Sequence, residues 1–479
     1  MTVGISGLRN SADVLGGGTR NRQQRSLRSL VWLLAVLTIA LLTVLFVVAA
    51  KPVPAYDAMG FLVWGHQGLH WNLNLNGAPS WKPLVFVATL PFALVGHRGE
   101  QWLWIFTADA GGLAAVVLAG RLAYRLSPVV SGRKWARVVG ALCAAYGVAS
   151  MVGYARLVLI ANADPLTIAL ALGAIDCHLS RRYRTALILV CLTAFSRPEA
   201  WPFMIVYAGW LWRQDRSNLW LAVSGVCVTL LIWLVVPALT SHSWMSSSDF
   251  ALGQATAIHG DKFTGVFERL RTLTGVPAQI AVLCSIVIAV ARRDRAMLWL
   301  TGLAVLWALV EIAFALHGYS AVQRYLIEPA AVLCVVAGAG VGYALSRTSG
   351  PGRWIGPLAI VVLVASLVPY THDTAVTDHG LVSEAHSNSR LIGNLAKVVA
   401  AEGGQAAIRD CGQPASSLTY QSSVAWEVGV NVGTVEYGVR KAMRSGHAVV
   451  TFRAKGEGWV VRVAHTTSAC KRLNGQFYS

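Results

Sequence analysis

The sequence predicts an all-α polytopic membrane protein with a small extracytoplasmic α/β domain at its C-terminal end. Three observations carry that expectation. Of the 479 residues, 55% are hydrophobic and only 13% are charged. The apolar residues fall in many separate stretches, and in lipid a helix satisfies its own backbone polar groups. The basic residues, 40 Lys and Arg against 22 Asp and Glu, gather in the short segments between those stretches, which is the pattern that holds loops on the cytoplasmic side. The formal charge of +18 is therefore explained by membrane orientation and does not call for a nucleic-acid partner.

Residues 1–29 are rich in Gly, Ser and Asn and carry Arg20, Arg22, Arg25 and Arg28. Their low apolar content predicts a disordered tail kept in the cytoplasm by its arginines. Leu30–Ala50 follows as an uncleaved first span, since no small-residue cleavage site closes it. Residues 51–100 form the first outer loop. Within it Leu84–Val95 is apolar but short for a core of ~30 Å, and letting it cross would place the acid-free loop of Arg121, Arg125, Arg133, Lys134 and Arg137 outside. It is expected to lie along the membrane surface instead. Further spans are expected near 101–121, 138–155, 160–179, 185–197, 199–212, 218–237, 277–291, 296–316, 325–345 and 354–370. With the first span this makes about eleven. Cytoplasmic connections then hold Arg181, Arg182 and Arg184, then Arg213 and Arg216, then Arg292, Arg293 and Arg295, and finally Arg347 and Arg353. An odd number of crossings puts residues 371–479 outside. That tail shows helical patterns near 385–401 and 434–444 and strand-like Ala448–Arg453 and Trp459–His465. Six of the eight cysteines lie in or beside spans; Cys411 and Cys470 are the two in the tail, and in an oxidising compartment such a pair reads as a disulfide.

Several charged residues converge on the outer face in this topology. Tyr56-Asp57 follows the first span, Trp81-Lys82-Pro83-Leu84 comes later in the loop, and Arg156 and Asp164 flank a short outer turn. Arg197-Pro198-Glu199 forms another outer turn, and His317 and Arg324 bracket the turn before Tyr325-Leu326. Carboxylates and guanidinium groups at a lipid boundary suit the activation of a hydroxyl against a lipid-linked phosphate leaving group.

Tyr56-Asp57 after the first span, the Lys82-Pro83-Leu84 segment and Arg324-Tyr325-Leu326 before a late span resemble the GT-C glycosyltransferases. These are polytopic enzymes that use polyprenyl-phosphate sugars, among them protein mannosyltransferases, aminoarabinose transferases and actinobacterial envelope arabinosyl- and mannosyltransferases. The resemblance covers the span layout of residues 30–370. It implies a catalytic module there, a general base on the first-loop acid, which falls on Asp57, and two juxtamembrane helices, compatible with 58–70 and 84–95. Two departures stand out: Ala58 follows Asp57 where many members have a second acid, and Leu84 follows Pro83 where many have a second proline.

Under that resemblance Arg324, Arg197 and Lys82 are expected to receive the donor phosphate. Tyr56, Trp64, His66, Trp81, Asp164, Glu199 and His317 are expected to meet acceptor or sugar, with Trp71 a further aromatic of the loop. Each has a plainer reading. Asp57 is also placed to cap a helix after Pro54, Arg324 to anchor a span end, and Arg197 and Glu199 to pair locally beside a proline break. The tryptophans suit an interfacial belt. His66 and His70 have i, i+4 spacing, but no acid completes a metal set, so packing is the expected role and no metal or other cofactor is expected. His372, His379 and His386 recur at seven-residue steps as solvated linker histidines.

The expected function is transfer of a sugar, arabinofuranose or mannose, from a polyprenyl-monophosphate donor to an envelope glycan, glycolipid or protein at the outer face of a bacterial cytoplasmic membrane. The alternative is a transporter or flippase of a lipid-linked or amphiphilic solute. Its support is Asp109 and Glu311, ionisable residues inside expected spans. A scaffold for other envelope enzymes, with the function in the tail, is a third.

Overall fold

The computed structural model describes residues 9–77, 79–130, 133–252, 256–346, 354–465, 467–468, 470 and 477–478. Helix α1 (Arg9–Ala50) contains the apolar segment Leu30–Ala50, whose mean hydropathy of 2.9 and length of 21 residues suit a membrane crossing. Residues up to Ala49 form one unit and Ala50 onward a second.

The second unit opens on two helices of the first loop. Helix α2 (Tyr56–Leu69) follows Pro54. Helix α3 (Pro83–Phe92) has proline at its first position, where a missing N–H costs nothing. A short 3₁₀ turn carries it to Val95, and Gly96, in the left-handed region at φ 84°, ends it. Then come α4 (His97–Leu126), α5 (Lys134–Ala149), the short α6 (Tyr154–Leu159), α7 (Asp164–Leu179), α8 (Tyr183–Ser196), α9 (Trp201–Gln214) and α10 (Leu219–Thr240). After α11 (Ser246–Ala251) and α12 (Lys262–Thr272) follow α13 (Val276–Arg292), α14 (Arg295–Leu316), α15 (Ile327–Ser346) and α16 (Ile355–Ala401).

Among the described residues, five helices are long and apolar enough to cross a membrane: Leu30–Ala50, α4, Arg216–Thr240, α14 and Gln323–Ser346. The pair α12 and α13, bent by 109°, passes as a sixth only if it counts as one span. This is fewer than the eleven expected. The difference has a physical source: α5, α7, α8 and α9 have 16, 16, 14 and 14 residues, short of the ~20 that a crossing takes. The apolar windows at 138–155 and 160–179 run through turns, at Ser150 and Gly153 in the first and Ile160 to Ala163 in the second. Helices α11 and α12 occupy a stretch where no element is expected. Asp261 caps α12, accepting from the Thr264 N–H at 2.7 Å. The expected break between a last span and a tail helix is absent, because α16 runs unbroken for 47 residues. Arg347 and Arg353, expected in a cytoplasmic loop, lie outside the described residues.

Helix α15 is the most enclosed of these candidate spans, with 83% of its most apolar window buried. Small residues allow its backbone to approach α5: a Cβ added to Gly140 would stand 2.5 Å from the Gly338 carbonyl oxygen. Such contacts favour association in lipid, where burying more apolar surface contributes little.

The tail builds one five-stranded sheet of order β2-β1-β3-β4-β5. Its strands are β1 (Gln413–Ser416), β2 (Glu436–Tyr437), β3 (Val449–Lys455), β4 (Gly458–Ala464) and β5 (Phe477–Tyr478), with helices α17 (Gly404–Cys411), α18 (Gln421–Val428) and α19 (Val439–Ala442) between them. The expected strands are the β3–β4 hairpin, which turns at Gly456 with φ 60°. The expected helix at 434–444 is only the four residues of α19 after β2, because Gly438 interrupts the pattern with φ 94°. Strand β1, parallel to both β2 and β3, has no expected counterpart. The C-terminal part of α16 covers the sheet, and the Trp459 indole donates to the Leu391 carbonyl at 2.8 Å. A disulfide joins Cys411 to Cys470.

Candidate functional site

Four turns, far apart in sequence, meet at one end of the helical unit. Val53 and Ala55 donate backbone N–H groups to the Leu159 and Ile160 carbonyls at 3.1 and 3.2 Å, which ties the entry to α2 against the end of α6. The chain then turns through Ala161 at φ 49°. An alanine held in the left-handed region costs of order 1–3 kcal/mol, so it persists only where its surroundings enforce it. Here the Trp104 indole donates to the Ala161 carbonyl at 3.0 Å. Asn162 accepts from the Asp164 N–H at 3.1 Å, setting the start of α7. A second strained alanine, Ala321 at φ 43°, precedes Arg324. Arg269 of α12 holds that turn, donating to the Ser320 and Ala321 carbonyls at 2.5 and 2.8 Å.

The charged side chains form two connected layers. Asp164 is fully buried, and its Oδ1 lies 2.9 Å from Lys82 Nζ and 2.9 Å from an Arg197 guanidinium nitrogen. Arg197 is only 2% exposed; its Nε stands 3.4 Å from Glu328 Oε1, and its Nη2 donates to the Arg324 carbonyl at 2.7 Å. The Tyr325 ring lies under this guanidinium at 4.6 Å. Burial draws the Lys82 ammonium below the usual lysine pKa, opposed by the charge of Asp164.

The outer layer is the pair Arg324 and Asp57. Arg324 Nη1 donates to Asp57 Oδ2 at 2.5 Å, with the two side chains 35% and 16% exposed. Asp57 is the second residue of α2 and Ala55 is the N-cap, with no side-chain cap bond. The capping role weighed for Asp57 therefore does not apply. Arg324 likewise grips a carboxylate rather than standing alone as a span-end anchor. Arg197 does not pair with Glu199 alone, as one reading had it, but with Asp164 and Glu328. Glu199 is buried, and its Oε2 has no hydrogen-bond partner among the described residues. Glu311, weighed as a mid-span acid, sits in the last turns of α14 within electrostatic reach of Glu199, Arg197 and Glu328. It belongs to this cluster.

The remaining expected residues are dispersed. Tyr56 adjoins Asp57, and its hydroxyl donates to Gln421 Oε1 of the tail at 3.4 Å. Its phenol is pushed up to about 12 by burial, with the Asp57 charge second. Trp64 and Trp81 are 1% and 2% exposed and pack against each other at 5.4 Å, so both are core side chains here. His317 is exposed and bonds the Ala313 carbonyl at the end of α14. Arg156 reaches Glu384 of α16 at 4.0 Å, away from Asp164. His66 faces the tail, with its ring 6.2 Å from Trp426. Expectation from sequence overlooked Arg269 and Glu328, whose roles arise from contacts with distant segments. Glu328 lies four residues past Arg324, on the first turn of α15, and that proximity was the available signal.

No model of a known protein family matches the sequence, and no curated protein is detectably similar to it. The likeness lies in the fold. The crystal structure of ArnT from Cupriavidus metallidurans bound to undecaprenyl phosphate matches with a TM-score of 0.55 at 12% identity, over 92% of this chain and 99% of that one. The same protein in the apo state matches with a TM-score of 0.51 at 12% identity, over 88% and 93%. This chain is thus a mostly helical, multi-span membrane protein with an ArnT-like fold.

Proposed function

We propose that this protein is an integral-membrane glycosyltransferase that moves a sugar, arabinofuranose or mannose, from a polyprenyl-monophosphate donor to an envelope glycan, glycolipid or protein. The observation that carries the reading is the Asp57–Arg324 pair, part-exposed above a buried ion network. Support comes from the fold, shared with a protein crystallised with undecaprenyl phosphate, a lipid of the kind such a donor would release.

In this reading the acceptor hydroxyl gives its proton to Asp57 while its oxygen bonds to the anomeric carbon. The bond from that carbon to the phosphate oxygen breaks, and polyprenyl monophosphate leaves. Positive charge develops on the sugar, as in glycoside hydrolysis, and negative charge on the phosphate, where a fixed guanidinium stabilises it best. Arg324 is the accessible cation for that task. Its grip on Asp57 gives the donor a second effect: a phosphate that takes over Arg324 frees the carboxylate to act as base. Arg197 and Lys82 act from behind, Arg197 by holding the Arg324 backbone. The membrane is the bacterial cytoplasmic membrane, with the N-terminus inside and residues 371–479 outside.

The test is transfer of labelled sugar from polyprenyl-phosphate arabinose and polyprenyl-phosphate mannose in proteoliposomes carrying wild type or Asp57→Asn. Transfer is expected to fall by about 10²–10⁴-fold in the variant. Undiminished transfer removes Asp57 as base and redirects attention to Asp164 and Glu199. A transporter or flippase is the second reading, and Asp109 is its support, because both carboxylate oxygens are buried in α4 without a hydrogen-bond partner among the described residues. That reading expects solute flux lost in Asp109→Asn and kept in Asp57→Asn.

A further inference from the structure

A cleft of ≈ 490 Å³ lies between the C-terminal half of α2 and the tail, where α17 and α18 form its far wall. That volume falls in the range of small-molecule sites. Its lining on α2 begins at Val63 and includes neither Tyr56 nor Asp57. What lines it is informative about what fits it.

Among the described residues the lining holds no carboxylate and one guanidinium, Arg409, which donates to the Gly429 carbonyl at 3.2 Å. Apart from the Thr434 hydroxyl and the Trp426 indole, the other polar side chains of the described lining are amides and imidazoles. His97 Nε2 lies 3.2 Å from the Trp426 carbonyl, and His70 Nδ1 lies 2.8 Å from the His66 carbonyl. A carbonyl only accepts, so these nitrogens carry protons, and wherever such a ring is uncharged its other nitrogen is an acceptor. The His66 pKa is lowered by burial, with His70 a further cause, which favours its uncharged form. Phosphate or another anion would meet amide oxygens and imidazole acceptors as well as donors, with Arg409 the one guanidinium among the described lining residues. The imidazoles also fail to gather into a metal set among the described residues. Hydroxyl groups, which donate and accept at once, match a wall of amides and imidazoles.

Two further observations point to a ligand. Trp426 is 2% exposed and stacks on His97 at 3.7 Å, yet its indole N–H, a buried donor in the cleft wall, has no partner among the described residues. A buried unpaired donor is costly and asks for an explanation. At the rim, Trp71 stands between the lining residues His70 and Asn72; it is 97% exposed and held at φ 55°. A large aromatic kept in a strained backbone and in solvent is a platform on which a sugar face can stack.

We propose that this cleft is a saccharide-binding site, distinct from the Asp57 centre, that takes an uncharged, hydroxyl-rich glycan segment. Its assignment as a saccharide site stands apart from the transfer reaction. Its use as an anchor for a remote part of the acceptor glycan rests on the function proposed above.

The test is binding of two probes, a mannose trisaccharide and an arabinofuranose trisaccharide, to the full-length protein in nanodiscs, read by saturation-transfer NMR and calorimetry. Wild type is expected to bind at least one with a Kd of roughly millimolar order. Trp71→Ala, which removes no packing, and His70→Ala/Asn72→Ala, both exposed positions, are each expected to weaken that binding tenfold or more. Asp57→Asn is expected to bind as wild type does. No binding of either probe by wild type at ten times that concentration overturns the proposal, as does equal binding by wild type and both cleft variants. An inactive Asp57→Asn that still binds supports both readings. Binding with full transfer by Asp57→Asn retains the cleft and removes Asp57 as base.

Discussion

The two ion pairs made by Asp57 and Asp164 are alike in chemistry and opposite in setting. Asp164 is held by Lys82 and Arg197 with no exposure at all, whereas Asp57 and Arg324 keep 16% and 35% of their side-chain surface in the open. A buried carboxylate between two cations is bound to its geometry, since losing it strands two positive charges. A part-exposed pair can exchange partners with a substrate at little cost. The inner layer is therefore read as a frame and the outer as the working pair, with the Arg197 bond to the Arg324 carbonyl linking them.

The largest effect that would break this division is on stability. Asp164→Asn leaves Lys82 and Arg197 adjacent without their carboxylate, and about 3–5 kcal/mol of destabilisation is expected. Thermal unfolding in detergent should show a lowered midpoint for Asp164→Asn and little change for Asp57→Asn. Adding Lys82→Met to Asp164→Asn removes one stranded charge and should restore part of the loss. A midpoint equal to wild type in Asp164→Asn would remove the frame role.

The outer pair is sharpened by a smaller change. Arg324→Lys keeps the charge but loses the planar fork that meets a carboxylate or phosphate with two bonds. Under the proposed function, the KM for the polyprenyl-phosphate donor is expected to rise roughly tenfold, a change of about 1.4 kcal/mol, with stability preserved. A fall in kcat at unchanged donor KM would instead place Arg324 with Asp57 in the chemical step alone.

What was legible in the sequence follows the same division. The apolar stretches and loop charges are local signals, and the multi-span class and α3 follow from them, whereas α2 is expected only through the resemblance that Tyr56, Asp57 and Lys82 help to carry. The convergence of Asp57 with Arg324 was expected from charge and topology, yet the partners were not: nothing local in Lys82 names Asp164, 82 residues away. Trp64 and Trp81 look like substrate aromatics in a loop, and only packing places them in the core. Span counting failed where helices shorter than a bilayer end in turns built from apolar residues, as at Ile160 to Ala163. The parallel strand β1 escaped because Gln413-Pro414-Ala415-Ser416 has neither alternation nor β-branched residues, and its pairing with β2 and β3 is entirely non-local.

The smallest expected effect concerns the tail that braces α2. Glu427 lies on α18, the helix that packs against α2, and its carboxyl is pushed up to about 7 by burial, against the charge of Arg98. A carboxyl whose folded pKa is raised favours the folded state only while protonated. Its contribution is complete below the ordinary value near 4.5 and is lost as pH rises through about 7. Glu427→Gln keeps the neutral shape at every pH, so it should stabilise the protein at pH 8 by roughly 1–3 kcal/mol and leave it unchanged at pH 4. Unfolding midpoints of wild type and variant at the two pH values test this directly. A gap that stays constant with pH would mean that Glu427 does not titrate differently on folding. A gap absent at pH 4 and present at pH 8 would make the α18 contact with α2 a pH-sensitive point of the outer assembly, unlike Asp164, whose Oδ1 is held by both Lys82 and Arg197.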